Sequence, residues 1–215
     1  MRAALRILFV VLVAYPVVWL WLGIHVRHRE RLPVRGPAII AANHNSHLDI
    51  LTLLSLFPLL SIPHVQPAAA ADYFFKTWWR RWFAKYVIGI IPVRRGAVQQ
   101  GEADPLLECY QALEAGKVLV IFPEGTRGAP EELAELKSGI WYLAQRFPQV
   151  PIVPVYLYGL GKAMPKGTLI PVPFFVQVAV GHVLPWVADK TQFMTSLRQQ
   201  FHWLKQKIYR PVEEE

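Results

Sequence analysis

A single cysteine, Cys109, stands in a chain of 215 residues, so no intrachain disulfide can close and no cysteine cluster exists to hold zinc or an iron-sulfur centre. The fold must rest on packing alone. Charged residues are also scarce: they make up 18% of the chain, against about 25% in an ordinary soluble domain. Hydrophobic residues reach 53%, a balance that excludes a disordered chain and favours membrane contact. No serine stands in a G-x-S-x-G turn, which removes the nucleophile elbow of a serine lipase. There is no internal repeat and no low-complexity segment beyond the acidic tail at 213–215. The length admits one domain with something extra.

Negative charge is the scarcer sign, and the net charge is +8. The basic excess is local. Residues 1–35 carry Arg2, Arg6, Arg27, Arg29, Arg31 and Arg35 against Glu30, and residues 72–95 carry Lys76, Arg80, Arg81, Lys85, Arg94 and Arg95 against Asp72. These are also the most apolar or aromatic regions, so anionic lipid, not nucleic acid, is the expected partner.

From Ile7 to Ile24 the 18 residues include no charge. At about 1.5 Å per residue they would reach roughly 27 Å, close to the ~30 Å hydrocarbon core of a bilayer. Trp19, Trp21, His25 and Arg27 stand where a signal peptide would carry its small-x-small cleavage site, so a retained anchor is expected. Arginines are denser on its C-terminal side, which by the positive-inside rule leaves the remainder cytoplasmic. Pro16 would kink a spanning helix or split the segment into a shallow hairpin. The expected organisation is an anchor and basic linker at 1–35, an α/β domain at 36–210 and an acidic tail at 211–215.

Ala38–Ala42, Val118–Phe122 and Ile152–Leu157 read as short buried strands, and Phe175–Val183 as a late antiparallel strand. Helical spacing is expected over 50–60, through Leu106, Tyr110 and Leu113 up to Gly116, over 133–147, and along Phe193, Leu197, Phe201, Leu204 and Ile208 after an Asp189–Gln192 capping box. Alternating strands and helices predict an α/β fold: a mixed, mostly parallel sheet flanked by helices, preceded by the membrane helix or helical hairpin. Pro151 and Pro154 predict irregular pairing in the third strand. Phe75, Trp78, Trp79, Trp82, Phe83 and Tyr86 fall at helical spacing with Lys76, Arg80, Arg81 and Lys85 between them. Two readings compete there, a lipid-interface face and an aromatic face packed on the sheet.

Two strand-following segments carry chemistry. Asn43-His44-Asn45-Ser46-His47-Leu48-Asp49 pairs an imidazole with a carboxylate, and a carboxylate that accepts from one ring nitrogen leaves the other to take a proton. A turn-stabilising histidine is the structural alternative. Phe122-Pro123-Glu124-Gly125-Thr126-Arg127 offers a tight turn with a hydroxyl and a guanidinium, which suits phosphate but also occurs as plain strand-turn sequence. His44, His47 and Asp49 would also serve a metallohydrolase, yet no second histidine cluster completes such a site. A non-catalytic basic membrane-binding protein is a further alternative.

Taken in order, the segments resemble the glycerolipid acyltransferase family, which includes 1-acylglycerol-3-phosphate acyltransferases. His44 and Asp49, with Asn43 and Ser46, match its NHxSxxD block; Gly89 and Arg95 match the second, Phe122–Arg127 the third and Val150–Val155 the fourth. Lys137 and Gly139 match a Lys-x-Gly between the last two, and Arg94 beside Arg95 departs from the usual polar or acidic neighbour. The resemblance covers roughly residues 36–160. It implies a membrane-bound enzyme moving a fatty acyl group from acyl-CoA or acyl-carrier protein to a lysophospholipid hydroxyl, with lysophosphatidic acid the first choice and other lysolipids or amino-acid lipids the alternative. It implies His44 as base, Asp49 as its orienting partner, and Arg95, Glu124, Gly125, Thr126, Arg127 and Lys137 on the acceptor, with Glu124 on a glycerol hydroxyl. No cofactor or metal is required, and the bacterial inner membrane is the expected location, with the catalytic domain on its cytoplasmic face.

Overall fold

A computed structural model describes residues 2–71, 77–94, 104–165, 167–168 and 170–209. Among these residues seven strands form one sheet in the order β1-β7-β6-β2-β5-β3-β4. They are β1 (His25–Arg27), β2 (Ala38–Ala42), β3 (Val65–Ala70), β4 (Ile91–Val93), β5 (Val118–Ile121), β6 (Ile152–Tyr158) and β7 (Gln177–Val180). β2 lies between β5 and β6 and runs parallel to both, while β7 pairs antiparallel to β6 and parallel to β1. The expected mixed, mostly parallel sheet is therefore the fold.

Side chains alternate across β2 with period two. Ala38, Ile40 and Ala42 join one core with the N-terminal helix and α1 (Leu48–Ser55), whereas Ile39 and Ala41 join a second core with α3 (Leu107–Glu114), α4 (Gly139–Arg146) and α6 (Lys190–Tyr209). β2 is thus buried on both faces, which explains its uninterrupted apolar sequence. Phe193, Leu197, Phe201, Leu204 and Ile208 are all buried, and Asp189 Oδ1 accepts the Gln192 amide at 2.7 Å, as the spacing predicted.

Several expectations are corrected. β1 lies inside the segment expected to be a basic linker, where His25–Arg27 pairs with Gln177–Ala179. β3 and β4 were not foreseen, because Val-Gln-Pro-Ala-Ala-Ala has little intrinsic strand character and is held by its neighbours in the sheet. The helix expected over 50–60 ends at Ser55, followed by a 3₁₀ turn at Leu59–His64. The helix expected from 133 begins only at Gly139. Its missing first turns spend their amides elsewhere: Ala134 N donates to Glu124 Oε2 at 2.8 Å and Lys137 N to the Pro123 carbonyl at 2.7 Å. Pairing around Pro154 is continuous, since proline removes only a donor and its carbonyl still accepts the Gly181 amide at 2.8 Å.

The N-terminal segment is one helical run, Arg2–Trp21, long and apolar enough to cross a membrane. It continues through Pro16 in wide π-type turns, so the hairpin alternative does not occur. It does not stand clear of the body, either. Val10, Ala14, Val18 and Leu22, four residues apart, are buried, while Leu8, Leu12 and Leu20 are exposed on the other side. Arginines expected to mark a membrane flank are tied to the body: Arg27 donates to the Lys207 carbonyl at 2.6 Å and Arg29 to the Leu56 carbonyl at 2.7 Å, at the C-terminal ends of α6 and α1.

Of the aromatic stripe, Phe75 lies outside the described residues. α2 (Trp78–Phe83) turns Trp78, Trp79, Trp82 and Phe83 to the surface, Trp78 being 82% exposed. The reading that packed this stripe on the sheet therefore fails, and Ala84, Val87 and Ile88 of the following turn are the buried residues.

Candidate active site

β2, β5 and β6 share a direction, so their carboxyl ends meet at one edge of the sheet, where open α/β sheets bind ligands. β2 ends at Ala42 and delivers Asn43, whose side chain pairs with the backbone of β6: Nδ2 donates to the Leu157 carbonyl at 2.9 Å and Oδ1 accepts the Leu157 amide at 2.6 Å. Asn45 Nδ2 donates to the same carbonyl at 3.1 Å. These bonds extend the sheet laterally by side chain and fix where the next residue, His44, leaves the strand.

His44 Nδ1 lies 2.8 Å from Asp49 Oδ2. Asp49 is fully buried, and its Oδ2 also accepts the Asn45 and Ser46 amides at 2.7 and 2.9 Å. Oδ2 is thus fixed by two backbone amides and the imidazole at once. Asp49 lies in the first turn of α1, and Ser46 Oγ both donates to the Met164 carbonyl at 3.1 Å and accepts the Leu48 amide at 3.3 Å. The five-residue separation thus results from a turn that wraps its amides around the acid. The imidazole stacks on Phe122, centroids 4.3 Å apart and rings 25° from parallel, with 19% of its side chain exposed. With Nδ1–H given to the carboxylate, Nε2 keeps its lone pair.

Glu124 is buried at the foot of the turn. Its Oε1 accepts the His44 amide at 2.7 Å and its Oε2 the Ala134 amide at 2.8 Å, so it bolts the β5 turn to the histidine loop. Burial pushes its carboxyl up from the ordinary carboxylate value, against the downward pull of those two amides. Gly125 and Thr126 are exposed on the turn and Arg127 is half-buried beside them. Gly125 takes φ +69°, a left-handed conformation that suits glycine. Lys137 points to the surface, 3.1 Å from Glu135 Oε2, while its backbone closes the turn onto Pro123. Arg95 lies outside the described residues. Arg94 is exposed just after β4, which is separated from β2 by β5 and β3, roughly 14 Å at ~4.8 Å per strand.

Glu131 was missed by sequence reasoning. It takes φ +66°, is buried, accepts the Gly159 amide at 2.9 Å, and its carbonyl accepts Lys205 Nζ at 2.7 Å, so it ties the site turn to the end of β6 and to α6. Nothing in a Pro-Glu-Glu sequence announces that its first glutamate, Glu131, is left-handed and buried. For the metallohydrolase alternative, no group of three His, Cys, Asp or Glu side chains able to hold a metal exists among the described residues.

His47 is half-buried next to this pair. Burial first, then the charges of Arg127 and His44, push its imidazole from the ordinary 6.5 down to about 4. An unfolded chain therefore takes up a proton between those two values that the folded chain refuses. Stability should be fully present above pH 6.5 and decline as the pH falls toward about 4. Thermal unfolding of His47→Gln against pH should lack this component, and an unchanged profile would place the acid sensitivity elsewhere.

Residues 23–158 match the family model described as Acyltransferase. The chain belongs to the acyltransferase family. It is 33% identical over 149 residues to a chloroplastic 1-acyl-sn-glycerol-3-phosphate acyltransferase of Arabidopsis thaliana, covering 67% of this chain and 38% of that protein. It is 30% identical over 136 residues to the 1-acyl-sn-glycerol-3-phosphate acyltransferase alpha of Ovis aries, covering 62% and 44%. The chain thus spans less than half the length of these curated relatives. The crystal structure of the 1-acyl-sn-glycerophosphate acyltransferase PlsC from Thermotoga maritima shares the fold, with a TM-score of 0.75 at 20% identity, covering 98% of this acyltransferase and 81% of that chain. The segment matched by the family contains β2, β5, β6 and the whole His44–Asp49 and Glu124–Arg127 arrangement.

Proposed function

We propose that this acyltransferase moves a fatty acyl group from the thioester of acyl-CoA or acyl-carrier protein to the free hydroxyl of lysophosphatidic acid, giving phosphatidic acid. The observation that carries the reading is the His44–Asp49 pair at the end of the central strand, bolted through Glu124 to the phosphate-suited turn of the next strand. The names of the curated relatives supply the acceptor.

His44 Nε2 takes the proton of the acceptor hydroxyl as its oxygen attacks the thioester carbonyl. The tetrahedral intermediate collapses with cleavage of the carbon-sulfur bond, and the imidazolium returns the proton to the leaving thiolate. Asp49 holds the tautomer and stabilises the transient imidazolium. Thr126 and Arg127 bind the phosphate, with Arg95 and the Lys137 ammonium as further cations. Glu124 and Gly125 shape the turn. The reaction uses no cofactor or metal.

The enzyme works on a membrane, whose lipids are its acceptor and product. The Arg2–Trp21 helix, with its outer side apolar and its inner side on the body, lies against one leaflet, and exposed Trp78, Trp79 and Trp82 beside Arg80 and Arg81 suit the headgroup boundary. Both thioester donors are cytosolic, so the catalytic domain faces the cytoplasm, at the inner membrane if the cell is bacterial.

Acyl transfer by the purified chain in mixed micelles, with both donors and a panel of lysolipids, tests the reading. Phosphatidic acid from lysophosphatidic acid is the expected product, and folded protein inactive with every pair would overturn it. Arg127→Ala should raise the acceptor KM about tenfold or more, since hydrogen bonds to charged groups contribute about 1.5–3 kcal/mol. The donor KM should barely change. Equal effects on both substrates would remove Arg127 from the phosphate.

A further inference from the structure

The connection between β6 and β7 has no place in the chemistry above, yet its surface is conspicuously apolar. Ile170 is 80% exposed, and Val172 and Phe175 are more than half exposed. The loop is built into the fold: the Val172 amide donates to the Ala163 carbonyl at 2.8 Å, and Trp21 Nε1 donates to the Pro171 carbonyl at 3.0 Å. That second bond joins it to the last residue of the apolar N-terminal helix, where Leu20 is 83% exposed.

Strand register fixes where this patch lies. Tyr158, at the end of β6, is opposite Gln177, at the start of β7, and Gln177 is also opposite His25, at the start of β1. The loop, the end of the N-terminal helix and the carboxyl end of β6 are therefore at one edge of the sheet, the edge that carries His44. The short helix α5 (Leu160–Ala163) leads into the loop, and the carbonyl of Met164 just beyond it accepts Ser46 Oγ of the catalytic turn. Along the connection itself charge has one sign, the buried Glu131 carboxylate lying beneath its start on the Gly159 amide. From Leu136 to Ala188 the sequence contains no Asp or Glu, while Lys162 is exposed at the base of the loop.

We propose that the β6–β7 loop is a second membrane-contact element, which inserts Ile170, Val172 and Phe175 into the headgroup and acyl boundary of an anionic bilayer, beside Leu20 and Trp21. Three features commit the occupant to lipid: continuity with an apolar helix of membrane-crossing length, a shared edge with the site that receives the lipid, and a connecting sequence at 159–176 that carries lysine and no acid. Docking there holds the His44 edge toward the interface, so an acceptor reaches the site without leaving the bilayer. The proposal rests on the membrane-lipid reading above.

A single environment-sensitive fluorophore tests it in the full chain. Cys109 is fully buried, with its thiol pushed up to about 12, so it should stay unlabelled beside an introduced surface cysteine. Three variants are compared on vesicles of phosphatidylcholine and phosphatidylglycerol containing spin-labelled lipid: Ile170→Cys in the loop, Leu12→Cys on the N-terminal helix, and Glu114→Cys on α3, which covers the opposite face of the sheet. The expected result is a blue shift and quenching at position 170 comparable to that at 12, with neither at 114. Quenching at 12 with a signal at 170 like that at 114 would overturn the loop proposal and leave the membrane reading standing. A silent position 12 as well would overturn both.

Discussion

His44→Ala should lower kcat for acyl transfer by about 10²- to 10⁴-fold, the range a positioned general base contributes, while KM for either substrate changes little. The side chain is partly exposed and its own hydrogen bond is to Asp49, so truncation leaves the backbone bonds to Glu124 and Gly128 in place and the fold intact. Asp49→Asn is the informative companion. The amide oxygen can still accept the Asn45 and Ser46 amides, but an asparagine cannot stabilise an imidazolium and favours the wrong ring tautomer if its NH₂ faces Nδ1. Its kcat should fall by a similar order, and the double variant should be scarcely slower than either single one, because the two groups act as a unit. Steady-state kinetics in mixed micelles read this directly. Additive losses, or a His44→Ala enzyme of near-normal kcat, would remove the pair from the chemistry.

Arg6→Met should cost about 3 kcal/mol of stability, from the loss of charged hydrogen bonds and the carbonyls left behind. Arg6 is buried where the N-terminal helix crosses the body, and its guanidinium donates to the carbonyls of Pro63 at 3.2 Å, Ile88 at 3.0 Å and Val65. It is the clamp that fastens an otherwise apolar helix in one orientation. Gly89 belongs to the same device: with φ +86°, a Cβ built there would meet the Arg6 guanidinium at 2.4 Å. That atom is the end of a flexible chain, but its three bonds prevent it from moving away cheaply, so Gly89→Ala should mimic Arg6→Met in weaker form. Urea unfolding in detergent measures the cost, and limited proteolysis should cut the N-terminal helix sooner in both variants. Unaltered unfolding with wild-type protease resistance would mean that apolar packing through Val10, Ala14 and Val18 suffices to hold the helix.

The second block of the family resemblance therefore acquires a different meaning at one of its ends. Gly89 was legible as part of a motif, but its reason is steric and 83 positions distant from the arginine that imposes it. Glu124 is a similar case. Its place in the motif suggests contact with substrate, and its two oxygens also accept the amides of His44 and Ala134, a structural task the motif does not announce. A motif records that a residue is needed; it does not say whether the need is chemical or structural.

What the sequence determined by itself follows from patterns that local physics makes unambiguous. Uninterrupted apolar runs gave β2 and β5, helical spacing with a capping box gave α6, and the His44-to-Asp49 spacing put an imidazole and a carboxylate on one turn. Only the tertiary structure decided the rest. β1, β3 and β4 are strands because neighbours pair with them, Glu131 is buried with its carboxylate on the amide at the end of β6, and the N-terminal helix lies along the body with Val10, Ala14 and Leu22 in the core and Arg6 on three carbonyls from distant segments. In each of these the decisive partner is far away in sequence, and a pattern read along the chain contains no term for it.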